Sequence, residues 1–202
     1  MKSLLFLLSV FISLAYAKGQ DELIPQSIDL RTKSLNHKNS EQLAEKYEYY
    51  YDYWSEQEIR HGRTSKWNKE GVLIYEANFV DNQLDGLEER FGEEGNLQSS
   101  IQWVLGVKEG IEVHYFSSGK EKLVIPYKAG LKEGLEKSYY PNGQLKQVIT
   151  YQKGKKEGAA NYFKKEGSLK KSLKFKNGKK VKTPKEEAKA PKTKEKTHEI
   201  RI

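Results

Sequence analysis

The chain has 202 residues, a formal net charge of +8 and no cysteine. The lack of cysteine excludes disulfides, thiolate metal sites and lipid attachment through an N-terminal cysteine. The charge is uneven, because residues 62–109 carry a net −4 and residues 110–181 a net +11. Only one arginine follows Arg90, so few side chains could read phosphates or bases in a bidentate way, which argues against nucleic acid as a partner.

Residues 1–17 have the pattern of a secretory signal peptide. Lys2 precedes an apolar run from Leu4 to Leu14, and the segment closes with small residues at Ala15 and Ala17. This order is typical of a cleaved signal, and the apolar run is too short to favour a permanent membrane span. We therefore expect an exported protein, located in the periplasm or outside the cell.

Residues 18–61 are expected to form a leader with an N-terminal capping element. Residues 18–46 lack clear periodicity and predict an irregular segment. Tyr47, Tyr49, Tyr51 and Tyr53 then alternate with other residues, which favours a strand that caps the first edge of a sheet. A helix from Ser40 also fits the spacing of the apolar residues at 40–54, and the sequence leaves both alternatives open.

Residues 62–181 contain an internal repeat of 24 residues. Aromatic residues occupy the fifth and the seventeenth position after each of five regularly spaced glycines, which is the signature of a repeat architecture. The glycines are Gly62, Gly86, Gly110, Gly134 and Gly158. The aromatics at position 5 are Trp67, Phe91, Tyr115, Tyr139 and Phe163, and those at position 17 are Phe79, Trp103, Tyr127, Tyr151 and Phe175.

Each unit alternates apolar and polar residues with period two, which predicts a β-hairpin. The apolar face of the second half includes Leu145, Ile149 and Tyr151, and Ile111 and Val113 suggest the same face, more weakly, in the first half. Asn-Gly at 142–143 predicts the tip, and Lys-Glu-Gly at 108–110, 132–134 and 156–158 predicts the end of each return turn. The fold class is all-β, an elongated twisted antiparallel meander of five tandem 24-residue β-hairpin repeats.

The repeated aromatics have two interpretations, as cross-strand packing or as a binding stripe. Packing is favoured because Phe, Tyr and Trp replace one another freely in the same positions, and such pairs add roughly 0.2–1 kcal/mol each to a sheet.

The repeats resemble the variant MORN repeat, where MORN stands for membrane occupation and recognition nexus. The resemblance is carried by units such as residues 134–146 and their continuation through Tyr151 and Gly154 to Gly158, and it covers residues 62–181. It implies a single-layer sheet of successive hairpins. Bacterial members are often labelled antitoxin-like, and the wider family is associated with membrane lipids and scaffolding. Asn82-Gln83 and Glu121 depart from the repeat pattern, at a return turn and at a strand start.

Residues 182–202 are a Lys, Glu and Pro-rich stretch without aromatics, for which we expect disorder. Evidence for catalysis is thin. The four histidines His37, His61, His114 and His198 lack metal-ligand spacing, and His114 falls on the mostly polar face. Glu109, Glu133 and Glu157 recur at one turn position, which indicates a structural role. No enzyme activity, cofactor or metal is expected.

The sequence thus favours a non-enzymatic exported repeat scaffold that binds a protein or an envelope component. One alternative is a peripheral binder of anionic membrane or polysaccharide that uses its basic C-terminal half. Its contact residues would be Lys153, Lys155, Lys156, Lys179 and Lys180. A second alternative is an antitoxin-type partner protein, which rests on the family resemblance. A lysine-rich face that serves only solubility is the remaining interpretation.

Overall fold

The computed structural model describes residues 28–181, and residues 31–181 form a single antiparallel sheet of 14 strands. Consecutive strands are neighbours throughout, apart from a short β9 that pairs only with β8, so the sheet is an open meander as predicted. The strands are β1 (Arg31–Asn36), β2 (Leu43–Asp52), β3 (Gln57–Trp67), β4 (Leu73–Val80), β5 (Gln83–Phe91), β6 (Leu97–Val104), β7 (Val107–Tyr115), β8 (Glu121–Lys128), β9 (Leu131–Lys132), β10 (Gly134–Tyr139), β11 (Leu145–Gln152), β12 (Lys155–Phe163), β13 (Leu169–Lys176) and β14 (Lys179–Val181).

No second layer occurs in the described part of the chain. Residues 28–181 contain no helix, hence none long and apolar enough to cross a membrane. All the strands belong to the unit that begins at Arg31. The proposed signal peptide at 1–17 and the proposed disordered tail at 182–202 lie outside the described residues.

The hairpin tips are three-residue loops, each consisting of a tight turn followed by a glycine. In the first repeat the backbone N–H of Asn68 donates to the carbonyl of Val72 at 2.9 Å, and that of Gly71 donates to Asn68 at 3.1 Å. The other four repeats have the same two bonds. Gly143, the predicted tip glycine, has a φ of 87°, as this class of loop requires after its type I turn. The tip prediction is therefore confirmed.

The return turns are two-residue loops in which both residues have positive φ, the geometry of a type I′ turn. Lys153 and Gly154, for example, have φ of 48° and 77° between the paired residues Gln152 and Lys155. The prediction that Lys-Glu-Gly ends the return turn is wrong, because residues 156–158 lie inside β12. The return turn at Asn82, where the sequence departs from the repeat pattern, has the same geometry. Asp81 and Asn82 both have positive φ, which Asp and Asn tolerate.

The repeated glycine at the start of each unit lies in a bulge rather than a turn. Ala77 pairs with Glu88 and Phe79 with Leu84, so β5 has two more residues than β4 across this step. Gly86 lies within it at a φ of 104°, and an added Cβ would stand 3.5 Å from the Asn78 side chain. Positive φ and a close neighbour together explain the glycine.

The most buried side chains form one row across the strands. Ile101, Ile125 and Ile149 are 4–7% exposed, and glutamates alternate with them, because Glu112 pairs with both Ile101 and Ile125. The expectation that Ile111 and Val113 share the inner face is therefore wrong. A one-residue bulge beside the tip, where Tyr115 pairs with Glu121 but His114 pairs with Leu123, changes the alternation between the two halves of a unit. Glu112 therefore turns to the buried row instead.

An extra hairpin precedes the five repeats. The strand predicted around Tyr47–Tyr53 is confirmed as β2, and the helical alternative is wrong. The irregular leader expected up to residue 46 instead contains β1, so β1 and not β2 occupies the edge of the sheet. This hairpin differs in length from the others: Tyr49 pairs with Arg60, eleven residues on, whereas the corresponding Phe79 pairs with Leu84, five residues on. The 24-residue spacing consequently fails there.

Pro126 interrupts the ladder between the third and the fourth hairpin. It lies in β8 and has no N–H to donate, so the ladder to the next strand breaks and Glu133 separates β9 from β10. The carbonyl of Pro126 still accepts a bond from the N–H of Glu133 at 3.0 Å. The local defect leaves the meander order intact.

Candidate interaction surfaces

One face of the sheet, which we call the charged face, carries the buried row and its carboxylates. Glu112 accepts bonds from the Lys108 ammonium at 2.8 Å and from His114 Nε2 at 2.7 Å. Burial raises the pKa of Glu112, but these hydrogen bonds outweigh it and hold the pKa below its ordinary value. His114, predicted to lie on a polar exposed face, is thus half-buried beside a carboxylate.

The neighbouring repeats have related arrangements on this face. Glu136 pairs with the Lys132 ammonium at 2.5 Å, and Glu88 accepts a bond from Trp103 Nε1 at 2.8 Å. Glu88 and Glu136 are 5% and 6% exposed. A buried charge is tolerated only when it is paired or hydrogen-bonded, so these side chains are structural partners. Sequence analysis missed them; the recurrence of glutamate at the second position after the repeated glycine is the signal that could have revealed them.

Cations cover the aromatics at position 17 of the repeats. The ammonium of Lys108 lies 4.9 Å from the ring centre of Tyr127, that of Lys132 5.0 Å from Tyr151, and that of Lys156 5.3 Å from Phe175. Cation–π contacts contribute about 0.5–1 kcal/mol at exposed sites. Burial and the nearby Glu112 carboxylate raise the pKa of Tyr127 to about 12. These aromatics pack as expected, although their partners are cations.

The opposite face carries an apolar patch, consisting of Leu87, Ile111, Val113, Val124, Pro126 and Leu135. In β7 and β8, Ile111 pairs with Pro126 and Val113 with Val124. Ile111 and Leu135 are 49% and 48% exposed, and no described element covers them. Contiguous exposed apolar side chains mark interaction sites more often than scattered ones do. Sequence analysis missed this patch because it assigned Ile111 and Val113 to the inner face.

The five predicted contact lysines are brought together along one margin of the sheet, which we call the basic edge. Lys153 lies in a return turn, Lys155 and Lys156 begin β12, and Lys179 and Lys180 lie in β14. The turns of successive repeats lie side by side, since a Cβ on Gly178 would be 3.9 Å from the Cβ of Lys155. Lys156 also stacks on Phe175, so it has a packing role as well as a charge.

Carboxylates connect successive return turns. The backbone N–H of Ala129 donates to Glu109 at 2.7 Å, that of Lys153 to Glu133 at 2.6 Å, and that of Asn177 to Glu157 at 2.7 Å. The structural role predicted for these glutamates is confirmed. Bonds of this kind tie each turn to the preceding repeat.

Residues 28–181 contain no group of three side chains that could hold a metal ion. His37 contacts the carbonyl of Trp67 at 3.0 Å, and His61 lies 3.2 Å from Asp81. His198 lies outside the described residues. A cleft of about 340 Å³ is present at the tip margin and is lined by Asn96, Gln98, His114, Tyr115, Ser117 and Lys122. The described histidines act in local polar contacts.

A family model described as a MORN repeat variant matches residues 132–153. The matched segment is similar to this repeat variant. It spans one hairpin, from β9 to the return turn after β11, and the other four repeats of the chain share its tip loop, its return turn and its bulge. No curated protein matches the chain. The match and the open sheet together indicate a repeat scaffold or binding module.

Proposed function

We propose that this repeat protein is a non-enzymatic, exported scaffold that binds a protein or an envelope component. The observation that carries the proposal is the single-layer sheet, in which no described element covers either face. Repeat sheets of this kind present extended surfaces because each unit contacts only its neighbours. The signal-like order of residues 1–17 supports export.

A pull-down from an envelope extract of the native host tests this function. The bait is the mature chain without residues 182–202, and we expect it to retain a defined protein or polymer. The control bait carries Asp at Ile149, which should disturb the sheet through a buried position and reduce retention. Equal recovery by both baits, or no specific recovery, would contradict the scaffold function.

The basic edge supports a second candidate function, weak peripheral binding to anionic membrane or polysaccharide. Lys153, Lys155 and Lys179 are exposed, and they make no ion pair within residues 28–181. Clustered lysines near an anionic surface contribute about 1 kcal/mol each. Dissolved salt screens the attraction between exposed charges over a distance of about 8 Å at physiological ionic strength. Such binding should therefore weaken steeply as the salt concentration rises.

Co-sedimentation with anionic and neutral vesicles over a salt series tests this candidate. We expect the wild type to bind only anionic vesicles at low salt, and glutamate at the five lysines of the basic edge to abolish binding. The matched control makes five lysine-to-glutamate changes near the opposite margin, at Lys120, Lys122, Lys146, Lys164 and Lys165. Equal losses in both variants would mean that net charge alone matters. An antitoxin-type partnership is a third proposal that rests on the family resemblance alone.

A further inference from the structure

The apolar patch is flanked by two charges in one cross-strand row. Glu89 pairs with Ser100, Ser100 with Val113, Val113 with Val124, and Val124 with Lys137. The row therefore reads acidic, polar, apolar, apolar and basic across five adjacent strands. Both charged ends lie on the open face of the sheet.

Neither end of this row is neutralised within the described part of the chain. Glu89 and Lys137 make no hydrogen bond or ion pair through their side chains there. The residue opposite Glu89 is Glu76, another carboxylate, which is already paired with Arg63. Like charges opposite one another are unfavourable in a sheet, so a cation placed against Glu89 would be stabilising.

A second row, beside the first, ends in two leucines. Leu87 lies in β5, two residues before Glu89, and Leu135 lies in β10, two residues before Lys137. Ile111 occupies β7 between them, two residues before Val113. Gln102 of β6 stands between Leu87 and Ile111 in this row. Because side chains two residues apart in a strand share a face, the two rows present one surface.

We propose that a second copy of this chain docks on the apolar patch, face to face, about a two-fold axis that runs along β7. The strand order is β5, β6, β7, β8 and β10, so β5 and β10 each lie two strands from β7. Rotation about β7 therefore exchanges them. Ile111 meets Ile111 of the second copy, Leu87 meets Leu135, and Glu89 meets Lys137.

The distribution of charge along the chain agrees with this symmetry. The two-fold axis reverses the order of repeats, so residues 62–109, with a net −4, face residues 110–163 of the second copy, with 9 basic and 5 acidic side chains and hence a net +4. A contact of this kind uses the same surface on both partners, as most homodimers do. Opposed potentials also steer association and suppress the wrong register. The charged face and the basic edge remain open for the proposed ligands.

Sedimentation equilibrium of the purified mature chain, up to the millimolar range, tests the proposal. We expect the wild type to form a dimer that dissociates on dilution. Glu89→Lys and Lys137→Glu should each weaken the dimer about tenfold or more, because each places like charges opposite one another twice per dimer. The double variant E89K/K137E should restore the wild-type affinity. Glu94→Lys and Lys120→Glu make the same charge changes outside the patch and should have no effect.

Ile111→Glu provides a second disruption, since it places two carboxylates at the axis, and a thermal melt verifies that the variant is folded. A wild type that stays monomeric overturns the proposal. A dimer that resists these changes overturns it as well, because another surface would then hold it together. Failure of the double variant to recover would overturn the two-fold axis along β7. The envelope pull-down has a separate readout, so loss of dimerisation leaves the proposed scaffold function standing.

Discussion

Glu88, Glu112 and Glu136 show how a sheet without a second layer can bury side chains. No opposing layer covers the central row, so its covering comes from long neighbours on the same face. The ammonium groups of Lys108 and Lys132 lie over the rings of Tyr127 and Tyr151 and also bind Glu112 and Glu136. A lysine can pack its methylene groups while its ammonium reaches a partner. Each of these cations thus serves packing and charge pairing together.

Glu112 should make the stability of the protein sensitive to acid. Its pKa is lower in the folded state than its ordinary value of 4.5, so the unfolded state binds more protons as the pH falls. The stabilisation is therefore present above about pH 4.5 and is lost as the pH drops through the folded value. We expect Glu112→Gln to lower the free energy of unfolding at pH 7 and to lessen its decline between pH 5 and 3.

Urea titrations at a series of pH values measure this effect. Glu94→Gln is the matched control, since Glu94 is exposed at a tip loop, and it should leave both the stability and its pH dependence close to those of the wild type. A Glu112→Gln curve parallel to that of the wild type would contradict the assignment of this carboxylate.

Substitution of Ile149 tests which residues form the buried row. It is 4% exposed and pairs with Glu136, so Ile149→Asp places a second acidic group beside a buried carboxylate. We expect a loss of several kcal/mol in the free energy of unfolding. A lysine there would instead find a partner in Glu136. Thr150→Asp points to the other face and should cost less than about 0.5 kcal/mol; similar losses in denaturant melts would show that the face assignment is wrong.

At the scale of the hairpin, the periodicity of the sequence predicted the five repeated hairpins but missed the N-terminal strand β1 that precedes them. The 24-residue spacing of glycines and aromatics predicted five hairpins, and β3 to β13 confirm them. β2 was predicted but β1 was not, and the hairpin that they form was not recognised as a further unit because its connection to β3 is longer, which shifts Tyr47 and Tyr49 out of step. Lys-Glu-Gly was assigned to a turn because glycine suggests one, whereas Gly158 lies in a bulge, for which positive φ is equally suitable.

The return turn at Ala129-Gly130 allows a direct test of type I′ geometry. Ala129 has a φ of 49°, a region that alanine adopts at a cost and asparagine tolerates. We expect Ala129→Asn to raise the free energy of unfolding by up to about 1 kcal/mol, since the left-handed region costs an ordinary L-residue about 1–2 kcal/mol and asparagine less. Ala129→Val should lower it, because a β-branched side chain is disfavoured there. Thermal melts in which both variants shift in the same direction would contradict the turn assignment.

At the scale of the whole molecule, the candidate surfaces were only partly predictable. The basic edge could be found from composition, since lysine dominates the late return turns and adjoining strands. The apolar patch could not, because its location depends on which face each half-repeat presents. That choice follows from the one-residue bulge beside each tip, as between the pairs Tyr115–Glu121 and His114–Leu123, which a period-two analysis of the sequence does not reveal.

Processing of the N-terminus is the prediction that bears on the location of the protein. The small residues Ala15 and Ala17 predict cleavage after Ala17, so the mature chain should begin at Lys18 and accumulate outside the cytoplasm. Intact-mass measurement on protein from fractionated native cells provides the readout. Ala17→Arg should block cleavage and retain the longer form, whereas Ala190→Arg in the tail should not. A soluble cytoplasmic chain that retains Met1 would contradict export.

The meander order has a mechanical consequence. Apart from the short β9, every strand is bonded to the strands next to it in the chain. Tension applied between the two ends would therefore peel hairpins from the margins of the sheet instead of shearing all the ladders together. One 24-residue repeat spans about 80 Å when fully extended, against about 10 Å for two strands within the sheet. A scaffold tethered at both ends would therefore lengthen in steps of roughly 70 Å, and it would yield gradually to a load that ruptures a cooperative domain all at once.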